Sequence, residues 1–164
     1  MGQKDKAKSL RLLGDALARQ SVVTRYWSHV SLVPGHDCVW WFGAISERGH
    51  GRFWLGTDAG GVIAHRFAYG LAFGIDELAR AEVLDHECDN PLCQNVEHMV
   101  PTSVGGNRRR WAARRYQVGG PLRDVRGSRG RSLAIRDALK AGENVQAVLN
   151  AGLSEIDAGQ GLLW

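Results

Sequence analysis

Between Asp85 and His98 the chain reads Asp-His-Glu-Cys-Asp-Asn-Pro-Leu-Cys-Gln-Asn-Val-Glu-His, and this stretch limits the possible folds more than any other. Cys88 and Cys93 lie five positions apart across an Asp-Asn-Pro turn, and His98 follows five positions later. A structural zinc takes four ligands in a tetrahedron, usually cysteine thiolates and histidine nitrogens. Two sulfurs on either side of a turn can face one point. Cys38 is the one other cysteine in the sequence. It precedes a strand-like run that could lie against the turn, which would complete a Cys3His set of Cys38, Cys88, Cys93 and His98. Two other arrangements fit the same residues. The cysteines could be small buried packing residues, or His86 could be the fourth ligand with Cys38 free. A structural zinc contributes on the order of 10 kcal/mol to folding, a large term for the modest core of a chain of 164 residues.

An odd cysteine count and a charged start, Met-Gly-Gln-Lys-Asp-Lys, argue against a secreted disulfide framework and a leader peptide. No run reaches the ~18 apolar residues of a membrane span. The expectation is a soluble intracellular protein without a membrane partner. The formal net charge of +4 says less than its distribution. Residues 107–136 hold ten arginines and one acid, Asp124, whereas residues 81–98 hold five acids and no Lys or Arg. That contrast suits a metal site beside a polyanion-binding surface. The plainer alternative is a solvated helix face.

Hydrophobic periodicity predicts a helix over Lys4 to Gln20, with Leu10, Leu13 and Leu17 on one face, and a short one from Thr24 to Val30 capped by Thr24. Leu32 to Asp37 is expected as a loop around Pro34-Gly35. Val39 to Phe42 and Gly51 to Leu55 read as strands joined by a Gly- and charge-rich turn. Val62 to Ala64 reads as a third strand, before a helix from His65 to Phe73 that Gly74 stops. Val83 to Tyr116 reads as strand, loop, strand, helix, with Thr102 or Ser103 as the cap. Gly119 to Gly130 reads as a linker. Helices follow over Arg131 to Lys140 and Asn144 to Asn150, and Gly159 to Trp164 has no clear period. The organisation expected is an N-terminal helical extension (1–24), a central domain (25–117), a Gly/Arg-rich linker (118–130) and a C-terminal helical segment (131–164). Trp27, Trp40, Trp41, Trp54 and Trp111 are expected in core and hairpin packing, and His29, His36 and His50 in loops or on the surface. His65 is expected to support the core or hairpin.

His86, Cys88, Cys93, His98 and Asn107 together resemble the HNH endonucleases, and their spacing is similar to that of the His-Cys box homing endonucleases. Cys38-Val-Trp-Trp-Phe-Gly, Gly49-His-Gly-Arg-Phe and His65-Arg-Phe-Ala-Tyr follow the order of elements in phage and plasmid members. Val96 stands where the family often has Pro. The resemblance covers about Trp27 to Tyr116. It implies an α+β fold with a ββα-metal (His-Me finger) core, a zinc-stapled hairpin, a small antiparallel sheet and flanking helices. It implies hydrolysis of DNA phosphodiesters to 5′-phosphate and 3′-hydroxyl ends, in the cytoplasm of a bacterial cell that hosts a phage or mobile element. By the same resemblance His86 is the general base, and Asp85 and Asn107 hold a catalytic Mg²⁺ or Mn²⁺ ion. The expectation for the imidazole is that Nε2 takes the proton while a carbonyl or Asn orients Nδ1.

An arginine is expected near the scissile phosphate, with Arg52 and Arg66 as candidates. Arg110 and Arg114 share a helix face with Asn107 and are expected to meet the phosphate backbone, with Arg108 and Arg115 to the sides. One such site cuts one strand, so double-strand cleavage would take a homodimer or two events. Two other functions fit the composition: a non-catalytic zinc-binding DNA module, and a metal-stapled protein-interaction domain.

Overall fold

The computed structural model describes residues 3–160, with side chains from residue 7 onward. Residues 161–164, the end of the stretch without a period, lie outside the described residues. The first helix, α1 (Gln3–Leu17), buries Leu13 and Ala16. The second, α2 (Gln20–Trp27), starts four residues before the expected Thr24 cap, with Arg19 at its N-cap. Val22 and Tyr26, one turn apart, form its buried face, which is why the helix extends back to include Val22.

The expected loop around Gly35 is present and closes a hairpin. Strand β1 (Val30–Leu32) pairs antiparallel with β2 (Val39–Trp41), Val30 opposite Trp41 and Leu32 opposite Val39. Gly35, at φ 81°, supplies the left-handed position of the turn. The two runs at 39 and 51 do not pair with each other. The second run belongs to a separate three-stranded sheet of β3 (Ala44–Ile45), β4 (Gly51–Gly56) and β5 (Gly60–Ile63), with β4 central. Along β4, Gly51, Phe53 and Leu55 face in while Arg52 and Trp54 face out. A Cβ at Gly43 or Gly51 would overlap the Trp41 indole, so glycine at both positions leaves room for that buried ring.

Helix α3 (Ala64–Phe73) ends at Gly74, as read, and α4 (Ile75–Arg80) follows. Then come β6 (Val83–His86) and β7 (Met99–Thr102), paired antiparallel with Val83 opposite Thr102 and His86 opposite Met99. Helix α5 (Val104–Arg114) is capped by Ser103, whose Oγ accepts from Gly106 N at 3.0 Å. Strand, loop, strand and helix thus stand in the expected order. The architecture is mixed α+β with small antiparallel sheets.

Tyr26, Trp41, Phe53 and Phe67 form the centre of the core, with ring centroids 4.8 to 5.8 Å apart. Each buried ring of this size adds about 2 to 3 kcal/mol of transfer free energy. Trp40 and Trp41 are buried as expected, but Trp27, Trp54 and Trp111 are about half exposed.

The expected linker is structured. It holds a 3-10 turn at Pro121–Arg123, and α6 (Gly127–Ala141) starts four residues before Arg131. After it come α7 (Val145–Asn150), capped by Asn144, and α8 (Glu155–Gln160). Ile135 and Val145 belong to the same buried cluster as Trp40 and Phe67. No helix among the described residues is long and apolar enough to cross a membrane.

Candidate metal centre and adjoining cleft

The turn between β6 and β7 carries Cys88, Cys93 and His98, and β2 brings Cys38 to it. Trp40 bridges to Cys93, Trp41 N donates to Leu92 O at 2.9 Å, and Gln94 N donates to Val39 O at 2.6 Å. Strand β2 is therefore hydrogen-bonded on one side to β1 and on the other to residues 92–94. The ligand atoms of Cys38, Cys88, Cys93 and His98 all lie within 4.8 Å of one another. His98 Nδ1 is 3.4 Å from Cys93 Sγ and 3.9 Å from Cys38 Sγ. A zinc tetrahedron has ligand–ligand edges of about 3.6 to 3.8 Å. The four residues could hold a metal ion such as zinc, and His86 is not among them.

The electrostatics of the cluster suit a cation. Hydrogen bonds from Cys38 and Cys88 bring the Cys93 thiol down to about 4. The bonds to Cys88 and Cys93, and then burial, push the Cys38 thiol up. Sulfurs this close cannot all ionise without a positive partner, and a metal ion supplies it. Two donors already address them: Asn90 Nδ2 reaches Cys38 Sγ at 3.4 Å, and Asn95 N reaches Cys93 Sγ at 3.4 Å. Asn90 is itself held from α6, because Arg131 donates twice to its Oδ1 at 3.1 Å. Such outer hydrogen bonds fix ligand orientation. Sequence reasoning missed Asn90, Gln94 and Arg131, whose partners lie too far along the chain for spacing to show.

His86 ends β6 and is 5 % exposed. Its Nε2 lies 3.0 Å from Cys93 O. A carbonyl only accepts, so Nε2 carries the proton and Nδ1 keeps the lone pair. Nδ1 has no hydrogen-bond partner among the described residues. This exchanges the roles expected of the two nitrogens. Burial holds the His86 pKa below the ordinary value, opposed by Cys88, the Cys93 carbonyl and Asp85, so the ring is neutral near pH 7. One cleft is lined by Asp85, His86, Asn107, Arg108 and Arg114. The β6–β7 hairpin and the first turns of α5 thus bring the three expected catalytic positions to one cleft.

The arginines divide. Arg110 Nε donates to Asp85 Oδ2 at 2.7 Å and its Nη2 to Glu87 at 2.9 Å. Arg114 forks onto Asp89 and reaches Asp85 Oδ2 at 3.0 Å. Asp89, at φ 53°, turns the backbone so that its carboxylate meets this fork. The α5 face expected to meet phosphates is therefore bound to the acids of the hairpin. Asp85 Oδ1 accepts no hydrogen bond among the described residues. Arg115 lies over the rings of Trp111 and Tyr116. Arg108 makes no ion pair among the described residues, and Arg52 and Arg66 line a second cleft beyond His50.

His50 is no ordinary surface histidine. Its ring centroid lies 5.5 Å from that of His65 and 6.4 Å from that of His86, and His65 meets His86 edge-on at 4.5 Å. Burial, followed by the nearby His86 and Arg48, lowers the His50 pKa to about 4. Nothing in the local sequence of His50 signals this, because the three rings come from β6, α3 and the turn before β4.

The chain is similar to two proteins of Escherichia phage T7. It is 34% identical to Protein 7.7 over 64 residues, 39% of this chain and 46% of that protein. It is 31% identical to Protein 2.8 over 67 residues, 41% of this chain and 43% of that protein. Each match spans under half the relative's length. No protein-family profile matches the chain, and no solved structure does.

Proposed function

We propose that the chain is a metal-dependent DNA endonuclease of the HNH type, with a ββα-metal core stapled by zinc at Cys38, Cys88, Cys93 and His98. One observation carries this reading. The carbonyl of a staple residue, Cys93, fixes Nε2 of His86 and so leaves the lone pair of a neutral imidazole on Nδ1, and His86 lines one cleft together with Asp85 and Asn107. His86 then takes a proton at Nδ1 from the attacking water. The Cys93 carbonyl holds the imidazole in place and stabilises the proton on Nε2 as positive charge develops on the ring. Asp85, through Oδ1, and Asn107, through its side-chain carbonyl, would hold one divalent ion. Magnesium or manganese bound there would offset negative charge on the phosphate and the leaving 3′ oxygen. Arg110 and Arg114 orient the Asp85 carboxylate through its Oδ2. Such an enzyme would act in the cytoplasm of a bacterium that hosts a phage or mobile element.

Zinc-loaded protein is expected to nick supercoiled plasmid in Mg²⁺ or Mn²⁺ and to leave a 5′-phosphate that ligase can reseal. Binding without nicking in either metal would contradict the proposal. That outcome belongs to a second reading, a non-catalytic zinc-binding DNA-binding protein. It draws on the engagement of Asp85 Oδ2 by two arginines, which would make that carboxylate structural.

A further inference from the structure

The second cleft, of about 640 Å³, adjoins the first and shares with it the walls Arg48, His50, Val83 and Leu84. Arg48, Arg52 and Arg66 line it, and their guanidinium groups have no hydrogen bond or ion pair among the described residues. Arg52 and Arg48 are exposed, while Arg66 is partly buried. A partly buried cation without a counter-ion is costly, and an anion relieves that cost. Ile63, His65 and Arg66 also line the cleft, so the amino end of α3 opens onto it. Ile63 is the N-cap of that ten-residue helix and provides no side-chain cap. The first-turn N–H groups and the helix dipole there favour negative charge. His65 is 5 % exposed, and its Nδ1 is a buried polar atom with no partner among the described residues. The acids on these walls are Glu47 and Glu82, and Glu82 is turned to α5, where it accepts from Val104 N at 3.2 Å.

At least half of the arginine-rich run at 107–136 is engaged within the hairpin and the C-terminal segment. Within it Arg110, Arg114, Arg123, Arg126 and Arg131 are each paired with an acid of the chain. We propose that the cleft at the amino end of α3 is a phosphate site, seating a backbone phosphate that neighbours the scissile one, with Arg52 and Arg66 as its cationic contacts. The inference rests on the nuclease reading for the identity of the strand. His50, the wall between the clefts, would then lie under the sugar that links the two phosphates.

The test is binding of a fluorescein-labelled DNA duplex to zinc-loaded protein without added Mg²⁺ or Mn²⁺, read by anisotropy across a salt series. Arg66→Gln and Arg52→Gln are each expected to weaken binding severalfold and to flatten the slope of log affinity against log salt by about 0.9. Arg136→Gln, at a position already paired with Asp137, should leave the slope unchanged. Zinc content and melting temperature check the fold, and exposed Arg52 decides if the Arg66 variant does not fold. Wild-type affinity and slope in both variants would overturn the proposal, as would wild-type protein that fails to bind at low salt. Arginine-dependent binding without nicking in Mg²⁺ would leave the phosphate cleft standing and remove the nuclease reading. Nicking with arginine-independent binding would do the reverse.

Discussion

At the scale of single residues, the geometry turns on what each buried polar atom faces. Cys93 links the two halves of the site, since its sulfur belongs to the metal cluster and its carbonyl holds His86. The ligand types could be read from the sequence because cysteine and histidine flank a turn at short spacing. The nitrogen of His86 that stays free could not, because a tautomer depends on a contact made by folding. The same holds for His50 and His65, which meet His86 from distant strands and helices. Their burial predicts a pH effect. A histidine whose folded pKa lies near 4 rather than 6.5 binds its proton more readily in the unfolded chain, so stability is full above 6.5 and falls as pH drops toward 4. For His50 the loss would be on the order of 3 kcal/mol at pH 4. The His50→Gln variant is expected to show a shallower decline of melting temperature between pH 6.5 and 4 than wild type. Parallel curves would contradict that assignment.

At the scale of elements, α5 and the β6–β7 hairpin were legible because a capping serine and a period change mark them. The partner of β2 was not. Short strands of three residues take their register from tertiary contacts, and Val39–Trp41 pairs with both Val30–Leu32 and the Leu92–Gln94 segment. That double pairing places Cys38, so Cys38→Ser is expected to lower zinc stoichiometry below one per chain and to cost several kcal/mol of stability. Helix α6 is tied to the metal centre through Arg131, whose side chain is 8 % exposed and bridges Asn90 to Asp124. Breaking a buried pair of this kind costs about 3 to 5 kcal/mol. Arg131→Met should lower the melting temperature by roughly 10 °C and speed zinc loss to a chelator. An unchanged melting temperature would contradict this role for Arg131.

Across the whole molecule, the sequence shows that charge is concentrated but not where it is spent. The arginine run looks like a polyanion surface, yet in the fold much of it closes onto Asp85, Asp89, Asp124 and Asp157. Arg48, Arg52 and Arg66, which have no ion pair among the described residues, line the second cleft instead. Zinc is expected to hold this arrangement together. Stripping it with a chelator should lower the melting temperature and abolish nicking, and Mg²⁺ alone should not restore activity, whereas zinc followed by Mg²⁺ should. The central claim is that an imidazole held by the metal staple removes the proton from water. Its most direct measurement is the first-order nicking rate of zinc-loaded wild type against His86→Ala at equal zinc content in Mg²⁺. The account predicts a rate about 10² to 10⁴ lower in the variant, with unchanged DNA affinity. Equal rates would contradict it.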